Sequence, residues 1–373
     1  LNILIALKYM NLQTGGVSTH RLEIARMFKK MGHNVIVVSG GGEYALQLQE
    51  IGVKHYYIPF HRLKKNPLLF IPIAKAFYDV VKDNDIDIID CHWSITCFFS
   101  ELMFKLFNIP YVWTCHVQGI PHRGYYKYLR FCGLYTICVS SELKEELMFK
   151  YGIAPHRIQV VYNALDLEKY QPLQENEKII IRNKFNITDG DRVITILARI
   201  VSYKKHMDFL KCLKELVFDY NYNNLKVIFA GDAVKSCKDD LIEFIKTNSL
   251  QKYVNFVGHQ RPRDVLGITD ILVLPSDVEG FAIACAEAMA MGVPVIRTRT
   301  GGWKDMQDYC LAFEPGDIKM LSYQLREILN HDSFASELKH KGFEFVKKNL
   351  KIEKEYEALY RIYSQLVISN NKH

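Results

Sequence analysis

The sequence predicts an α/β protein built from two doubly wound parallel sheets in tandem, and three observations carry that expectation. Val- and Ile-rich runs of strand length alternate with helical patterns along most of the chain. That order places parallel strands in a sheet with helices on both faces. The alternation falters once, over residues 164–192, where Pro172, Asn176, Asn186, Asp189, Gly190 and Asp191 gather among charges. The chain is also 373 residues long, whereas single cores rarely grow past about 250–300 residues. The expected division is residues 1–165 and 166–351, with a last helix from about 352 to 373 packing back on the first domain.

In the first half, strands are expected at Ile3–Leu7, Val35–Ser39, Ile86–Asp90, Tyr111–Thr114, Tyr135–Val139 and Ile158–Tyr162. Between the first two, Ile24, Met27, Phe28 and Met31 recur at i, i+3, i+4 and i+7 and give a helix one core face. Thr14-Gly15-Gly16 is its entrance. The stretch 164–192 then reads as a linker with an entry helix. Five more strands follow, at Val193–Ala198, Leu225–Ala230, Val254–Val257, Ile271–Pro275 and Val293–Arg297. Before the last of them, EGFAIACAEAMAMGVPVI (279–296) reads as a loop ending at Gly280 and an alanine-rich helix from about Ala282 to Met291. The C-terminal stretch from Ile352 to Ser369 sets Tyr356, Leu359, Tyr360 and Tyr363 on one helical face.

Composition narrows the class. Hydrophobic residues make up 49% and charged residues 24%, the balance of a soluble globular protein. The apolar stretch Leu68–Val81 is interrupted by Pro72, Lys75 and Asp79, so it falls short of the roughly 18 apolar residues of a membrane span. LNILIAL at the start reads as a first strand, too short for a secretory segment, with the initiator Met outside this numbering. A cytoplasmic protein is expected. Nine cysteines without a CxxC pair suit buried free thiols, and Cys91-His92 and Cys115-His116 lack metal-ligand spacing. The net charge of +7 is uneven: residues 1–165 carry 18 Lys/Arg against 12 Asp/Glu, the rest 30 against 29. HRLKKNPLLFIPIAKAF (61–77) joins Arg62, Lys64 and Lys65 to an apolar segment. It reads either as a solvated face or as a helix lying on the anionic inner face of the cell membrane. Helix-turn-helix, RNP-type and zinc-finger patterns are absent, so nucleic acid is not an expected partner.

Four constellations lie where strands end, the edge at which open parallel sheets bind ligands. Gly15-Gly16 lets a ligand approach the backbone, or is a plain turn; it is not the GxGxxG of a dinucleotide dehydrogenase. Thr114-Cys115-His116 places an imidazole at a strand end, as a site residue or as a structural histidine. Arg199, Lys204 and Lys205 crowd the end of VITILA, as a solvated loop or as the cations that hold a diphosphate. A phosphate docked on the N–H groups of Phe281, Ala282 and Ile283 would meet the positive end of the alanine-rich helix. Glu287, about one and a half turns in, suits the two hydroxyls of a ribose, because a carboxylate accepts and does not donate. Glu279, in the loop, suits hydroxyls on the other side of the phosphates. Helix capping by Glu279 and a salt bridge at Glu287 account for each acid alone, but not for both together with the cations.

These residues resemble the retaining glycosyltransferases of family 4, which have the GT-B fold and include many bacterial surface-polysaccharide and lipid-glycosylating enzymes. PSDVEGFAIACAEAMAMGVPVI is similar to that family's E-x7-E motif, LARIVSYKKHMDFL to its strand ending in Arg followed by Lys, and VVYNALDLEKY to its entry into the second domain. QTGGVSTH and TCHVQG resemble its glycine and histidine loops. The resemblance implies two Rossmann-like domains facing across a cleft. Arg199 and Lys205 would bind the donor diphosphate, with Lys204 competing for the lysine's role because the Gly that usually follows is absent. Glu279 would hold donor sugar hydroxyls, His116 would approach the sugar, Gly280, Phe281, Ala282 and Ile283 would give contacts to sugar and phosphate, and Glu287 would take the ribose. Gly231 and His259 would line the nucleotide pocket, with Gly15 and Gly16 on the substrate side of the first domain. Ala198, Ala282 and Asn163-Ala164-Leu165-Asp166 depart from the family's commoner glycines. The implied activity moves a hexose or hexosamine from a nucleotide diphosphate sugar, UDP favoured and GDP possible, to a lipid-linked or cell-surface glycan, with retention and without metal or other cofactor. A sugar-nucleotide epimerase, a phosphorylase and a catalytically idle nucleotide-sugar-binding subunit are the alternatives.

Overall fold

The computed structural model describes residues 1–11, 16–120 and 131–370. The chain forms two compact units, Leu1–Ala164 with Ile352–His373, and Leu165–Lys351. In the first unit the described elements are β1 (Asn2–Ala6), α1 (Gly16–Lys30), β2 (Asn34–Ser39), α2 (Tyr44–Glu50), β3 (Lys54–Tyr57), α3 (Phe70–Asp83), β4 (Ile88–Cys91), α4 (Ser94–Phe107), β5 (Tyr111–Cys115), β6 (Tyr135–Cys138), α5 (Ser141–Tyr151) and β7 (Ile158–Val160). All the strands pair in parallel, in the order β3-β2-β1-β4-β5-β6-β7. The central strands are buried on both faces, which is why their apolar runs are unbroken. The strand order reverses between β1 and β4, so a gap opens beyond their carboxyl ends.

Two helices show how the core selects a face. In α1, Leu22, Ile24, Ala25, Met27 and Phe28 are buried, but Met31 is 49% exposed: the helix ends at Lys30, so Met31 turns out with the loop. The last helix returns to this unit, with Ile352, Glu355, Tyr356, Leu359, Ile362 and Tyr363 buried at three- and four-residue spacing. The Phe28 ring lies 4.9 Å from Tyr356 and 5.6 Å from Tyr363. Tyr360 flanks this face rather than joining it, and leans on His33. Segment 61–77 is not one helix. Arg62, Lys64 and Lys65 lie in and after a 3-10 turn at Phe60–Arg62, and the α-helix starts only at Phe70 and buries Ile73 and Phe77 in the core. Among the described residues no helix is long and apolar enough to cross a membrane.

The second unit holds α6 (Glu175–Lys184), β8 (Arg192–Leu197), α7 (His206–Phe218), β9 (Leu225–Ala230), α8 (Lys235–Thr247), β10 (Val254–Gly258), α9 (Pro262–Leu266), β11 (Ile271–Leu274), α10 (Ile283–Ala290), β12 (Val295–Thr298), β13 (Leu311–Phe313), α11 (Ile318–Asn330) and α12 (Asp332–Asn349), while α13 (Ile352–Asn370) is the returning helix of the first. Its parallel sheet runs β10-β9-β8-β11-β12-β13 and reverses between β8 and β11. The stretch expected as a linker is packed: Leu173, Phe185 and Ile187 join Val193, Ile228 and Val265 in one apolar cluster. The alanine-rich α10 is small enough to lie close to α12, where a Cβ on Gly342 would stand 2.9 Å from Met289.

Candidate active site

In the second unit, six of the candidate positions collect at the carboxyl ends of β8 and β11, on either side of the strand-order reversal. Arg199 and Lys205 follow β8, and Glu279, Gly280, Phe281 and Ala282 follow β11. Hydrogen bonds knit the two loops. The Arg199 guanidinium donates to Tyr203 Oη at 2.8 Å, and the Asp277 N–H donates to the Tyr203 carbonyl at 2.8 Å. Lys204 Nζ lies 2.5 Å from Glu279 Oε1, both side chains largely buried. Lys205, the lysine expected on the diphosphate, is more open and meets Asp277 at 3.1 Å, a contact that raises its pKa. Lys205 caps the start of α7 with a left-handed backbone, φ 54°. The two lysines therefore point to different acids: Lys204 neutralises the buried one, Lys205 the exposed one.

The start of α10 is open to an anion. Ala282 sits at its N-cap with φ 59°, and no side chain caps the helix, so Glu279 is not a cap. Its first N–H groups lack helical acceptors. Phe281 and Ala282 are buried and Ile283 is half-buried. Beneath them, Gly302 comes so close that a Cβ there would lie 2.8 Å from the Phe281 carbonyl oxygen. The salt bridge weighed as an alternative role for Glu287 is not seen among the described residues: its carboxylate accepts a hydrogen bond from Tyr170 Oη at 2.8 Å. Tyr170 belongs to a 3-10 turn at Leu167–Tyr170. Burial among alanines pushes the Glu287 carboxyl up to about 7, against the pull of the Tyr170 bond.

The nucleotide-side candidates lie on the neighbouring strands. Gly231 follows β9 with φ 152°, and a Cβ there would stand 2.3 Å from the Ala198 carbonyl oxygen, so glycine is required where β8 and β9 end together. Its N–H donates to the Gly258 carbonyl, and His259, next in the chain, is exposed.

Two further candidate positions lie in the first unit, described by itself: His116, just after β5, and Gly16, the exposed first residue of α1; Gly15 lies outside the described residues. His116 is not isolated. Its Nε2 is 2.9 Å from His92 Nδ1, and its Nδ1 is buried without a partner among the described residues. Burial, then the nearby His92, Arg21 and His20, holds the His116 pKa well below 6.5. His92 faces Asp90 Oδ2 at 3.3 Å, and that carboxylate also accepts from Thr114 and Tyr363, each at 2.7 Å. Sequence reasoning missed Tyr170, Tyr203, Asp277, Gly302, Asp90 and His92. Asp277 and His92 stand next to or beside named motifs; Tyr170 and Asp90 find their partners only through tertiary contact.

Comparison with known proteins fits this arrangement. Residues 14–169 match the family described as Glycosyltransferase Family 4, and residues 177–345 match Glycosyl transferases group 1. Over 306 residues the chain is 26% identical to the gpi3 subunit of phosphatidylinositol N-acetylglucosaminyltransferase from Schizosaccharomyces pombe, covering 78% of this chain and 64% of that one. It is 22% identical, over 93% of both chains, to the N-acetyl-α-D-glucosaminyl L-malate synthase of Bacillus anthracis. The crystal structure of Anabaena HepE in complex with UDP superposes with a TM-score of 0.84 at 16% identity, over 98% of this chain and all of that one. Two parallel-sheet units of this order, matched over 14–169 and 177–345 by those two family descriptions, make the chain a member of the family 4, group 1 glycosyltransferases of the GT-B fold.

Proposed function

We propose that the protein transfers a hexose or hexosamine from a UDP-sugar, with a GDP-sugar as the second choice, to a hydroxyl of a lipid-linked or surface glycan, with retention at the anomeric carbon. The observation that carries this reading is the convergence of Arg199, Lys204 and Lys205 on the strand-order reversal beside the uncapped start of α10. A diphosphate placed there meets guanidinium, ammonium and the first N–H groups of a helix that no side chain caps. N-acetylglucosamine is the favoured sugar, because two relatives carry it in their names, and UDP the favoured nucleotide, because HepE was crystallised with UDP.

Charge develops on the departing diphosphate as the glycosidic bond breaks, and the three cations stabilise it without needing a metal. In this reading Glu279, paired with Lys204 through one oxygen, holds the sugar and does not attack it. The acceptor therefore arrives on the face from which the diphosphate leaves, and a phosphate oxygen takes its proton. Glu279 orients sugar hydroxyls through the oxygen Lys204 leaves open, and Glu287 takes the ribose. An acceptor at a membrane suits the first unit, where Leu68 and Ile71 are 86% and 76% exposed beside Arg62, Lys64 and Lys65. Release of UDP, GDP or ADP from a panel of donor sugars tests the reading. UDP release with UDP-N-acetylglucosamine, rising on addition of a glycolipid acceptor, is expected; donor binding without release of any nucleotide would instead favour an idle binding subunit.

A further inference from the structure

The buried polar network of the first unit does more than hold α13 in place. It joins side chains from α1, β4, β5 and α13. Glu355 accepts from Arg21 Nη2 at 2.7 Å, from the Ala164 N–H at 2.7 Å and lies 2.8 Å from His20 Nε2. Arg21 Nη1 is 3.9 Å from Asp90 Oδ2, the oxygen that Tyr363 Oη donates to and that faces His92 Nε2. Asp90, Thr114, Tyr363, Glu355, Arg21, His20 and His92 are all buried. The line from Asp90 through His92 ends on His116, the member placed at the open carboxyl edge of the sheet.

Two imidazoles in contact at 2.9 Å need one donor and one acceptor between them. Burial disfavours charge on either, and Arg21 adds to that, so both rings are neutral. Each ring then has one N–H, and the question is which nitrogen carries it. Asp90 is ionised: burial works to raise its pKa, but the permanent charge of Arg21 and the hydrogen bond from Thr114 oppose it, and the carboxyl stays below its usual range. His92 Nε2 makes no hydrogen bond of good geometry, but a bare lone pair there, 3.3 Å from that carboxylate, is repulsive, whereas an N–H is attracted. His92 therefore keeps its proton on Nε2 and accepts at Nδ1. His116 must donate from Nε2, which leaves its unpartnered Nδ1 as an acceptor.

We propose that Asp90 and His92 are positioning residues that fix the tautomer of His116, so that His116 presents Nδ1 as a hydrogen-bond acceptor to a substrate hydroxyl. The inference rests on the proposed role of His116 at the sugar, but the tautomer itself is a property of the free protein. A hydroxyl, not a phosphate or carboxylate oxygen, is the chemistry such a nitrogen reads.

Long-range ¹H–¹⁵N NMR of protein labelled with ¹⁵N-histidine, at pH 7.5 without ligand, tests it directly, with assignment by His92→Gln and His116→Gln. The expected spectrum has both rings protonated at Nε2 only. A protonated Nδ1 on His116, or a charged ring, would overturn the proposal. In Asp90→Asn, whose amide can donate to His92, a second His116 species with Nδ1–H is expected, with kcat down about tenfold, the worth of one hydrogen bond. Tyr363→Phe, which loosens the same network but keeps the carboxylate, should leave both tautomers unchanged; tautomers that shift equally in both variants would reduce the network to packing. Should Asp90→Asn not fold, the wild-type and Tyr363→Phe spectra still decide. The expected tautomers in a protein that releases no nucleotide would count against the proposed reaction and leave this arrangement standing.

Discussion

At the scale of single residues, Glu287 has the clearest consequence. Its carboxyl sits near 7 in the folded protein against about 4.5 for the free group, so the folded state binds more protons between those values. Stability therefore falls as pH rises from about 4.5 to about 7, and the cost is complete above that window. Glu287→Gln keeps an oxygen for Tyr170 Oη and removes the buried charge. We expect it to raise stability at pH 8 by about 1–3 kcal/mol, with the gap to wild type closing by pH 5 in urea titrations, while UDP affinity drops. A gap independent of pH would mean that Glu287 is solvated. The residue scale is also where the sequence was least legible. The acids and cations of the second unit stand out as charges near strand ends, but their pairing does not: Lys204 meets Glu279 75 positions away, and Tyr363 meets Asp90 273 positions away. No local pattern encodes contacts of that separation.

Among the elements, α10 and its supporting loop position the proposed anion site. Ala282 holds a left-handed backbone that glycine adopts without strain, and Gly302 fills a space that admits no Cβ. Gly302→Ala should push the Phe281–Ala282 segment outward, costing about 1–3 kcal/mol and weakening UDP binding. Ala282→Gly should preserve both. Equal UDP titrations for Gly302→Ala and wild type would show that the loop tolerates displacement and is not part of the site. Strands were legible where both sheet faces are buried, as in β1, β2, β8 and β9, because a short unbroken apolar run suits a strand covered by helices on either side. Two of the four edge strands were not: β3 reads KHYY and is half-exposed, and β13 has three residues, whereas the edge strands β7 and β10 were expected where they lie. The helices were placed by periodicity but lost their ends, as Met31 shows, since a face continues in sequence after the helix has stopped.

For the whole molecule, the two parallel-sheet units follow from the alternation of strands and helices, and the break at 164–192 marks where one series ends and the next begins. That stretch resembles a linker because turn residues gather in it among charges, yet Leu173, Phe185 and Ile187 are core, while Ile179 and Ile180 stay exposed. The surplus of positive charge in the first half has a structural counterpart in the exposed Leu68 and Ile71 beside Arg62, Lys64 and Lys65. If this face meets an anionic bilayer, the protein should sediment with anionic vesicles, less so at high salt, and Lys64→Glu with Ile71→Asp should abolish sedimentation. Binding indifferent to salt and to both substitutions would rule that face out.

On the proposed reading a nucleoside diphosphate rests where Arg199, the two lysines and the start of α10 meet. Calorimetric titration with UDP tests it most directly. We expect saturable binding by the wild-type protein and a loss of about tenfold or more in Arg199→Ala, the worth of a charged hydrogen bond. UDP binding as strong in Arg199→Ala and Glu287→Ala as in the wild type would place the nucleotide elsewhere and contradict the account.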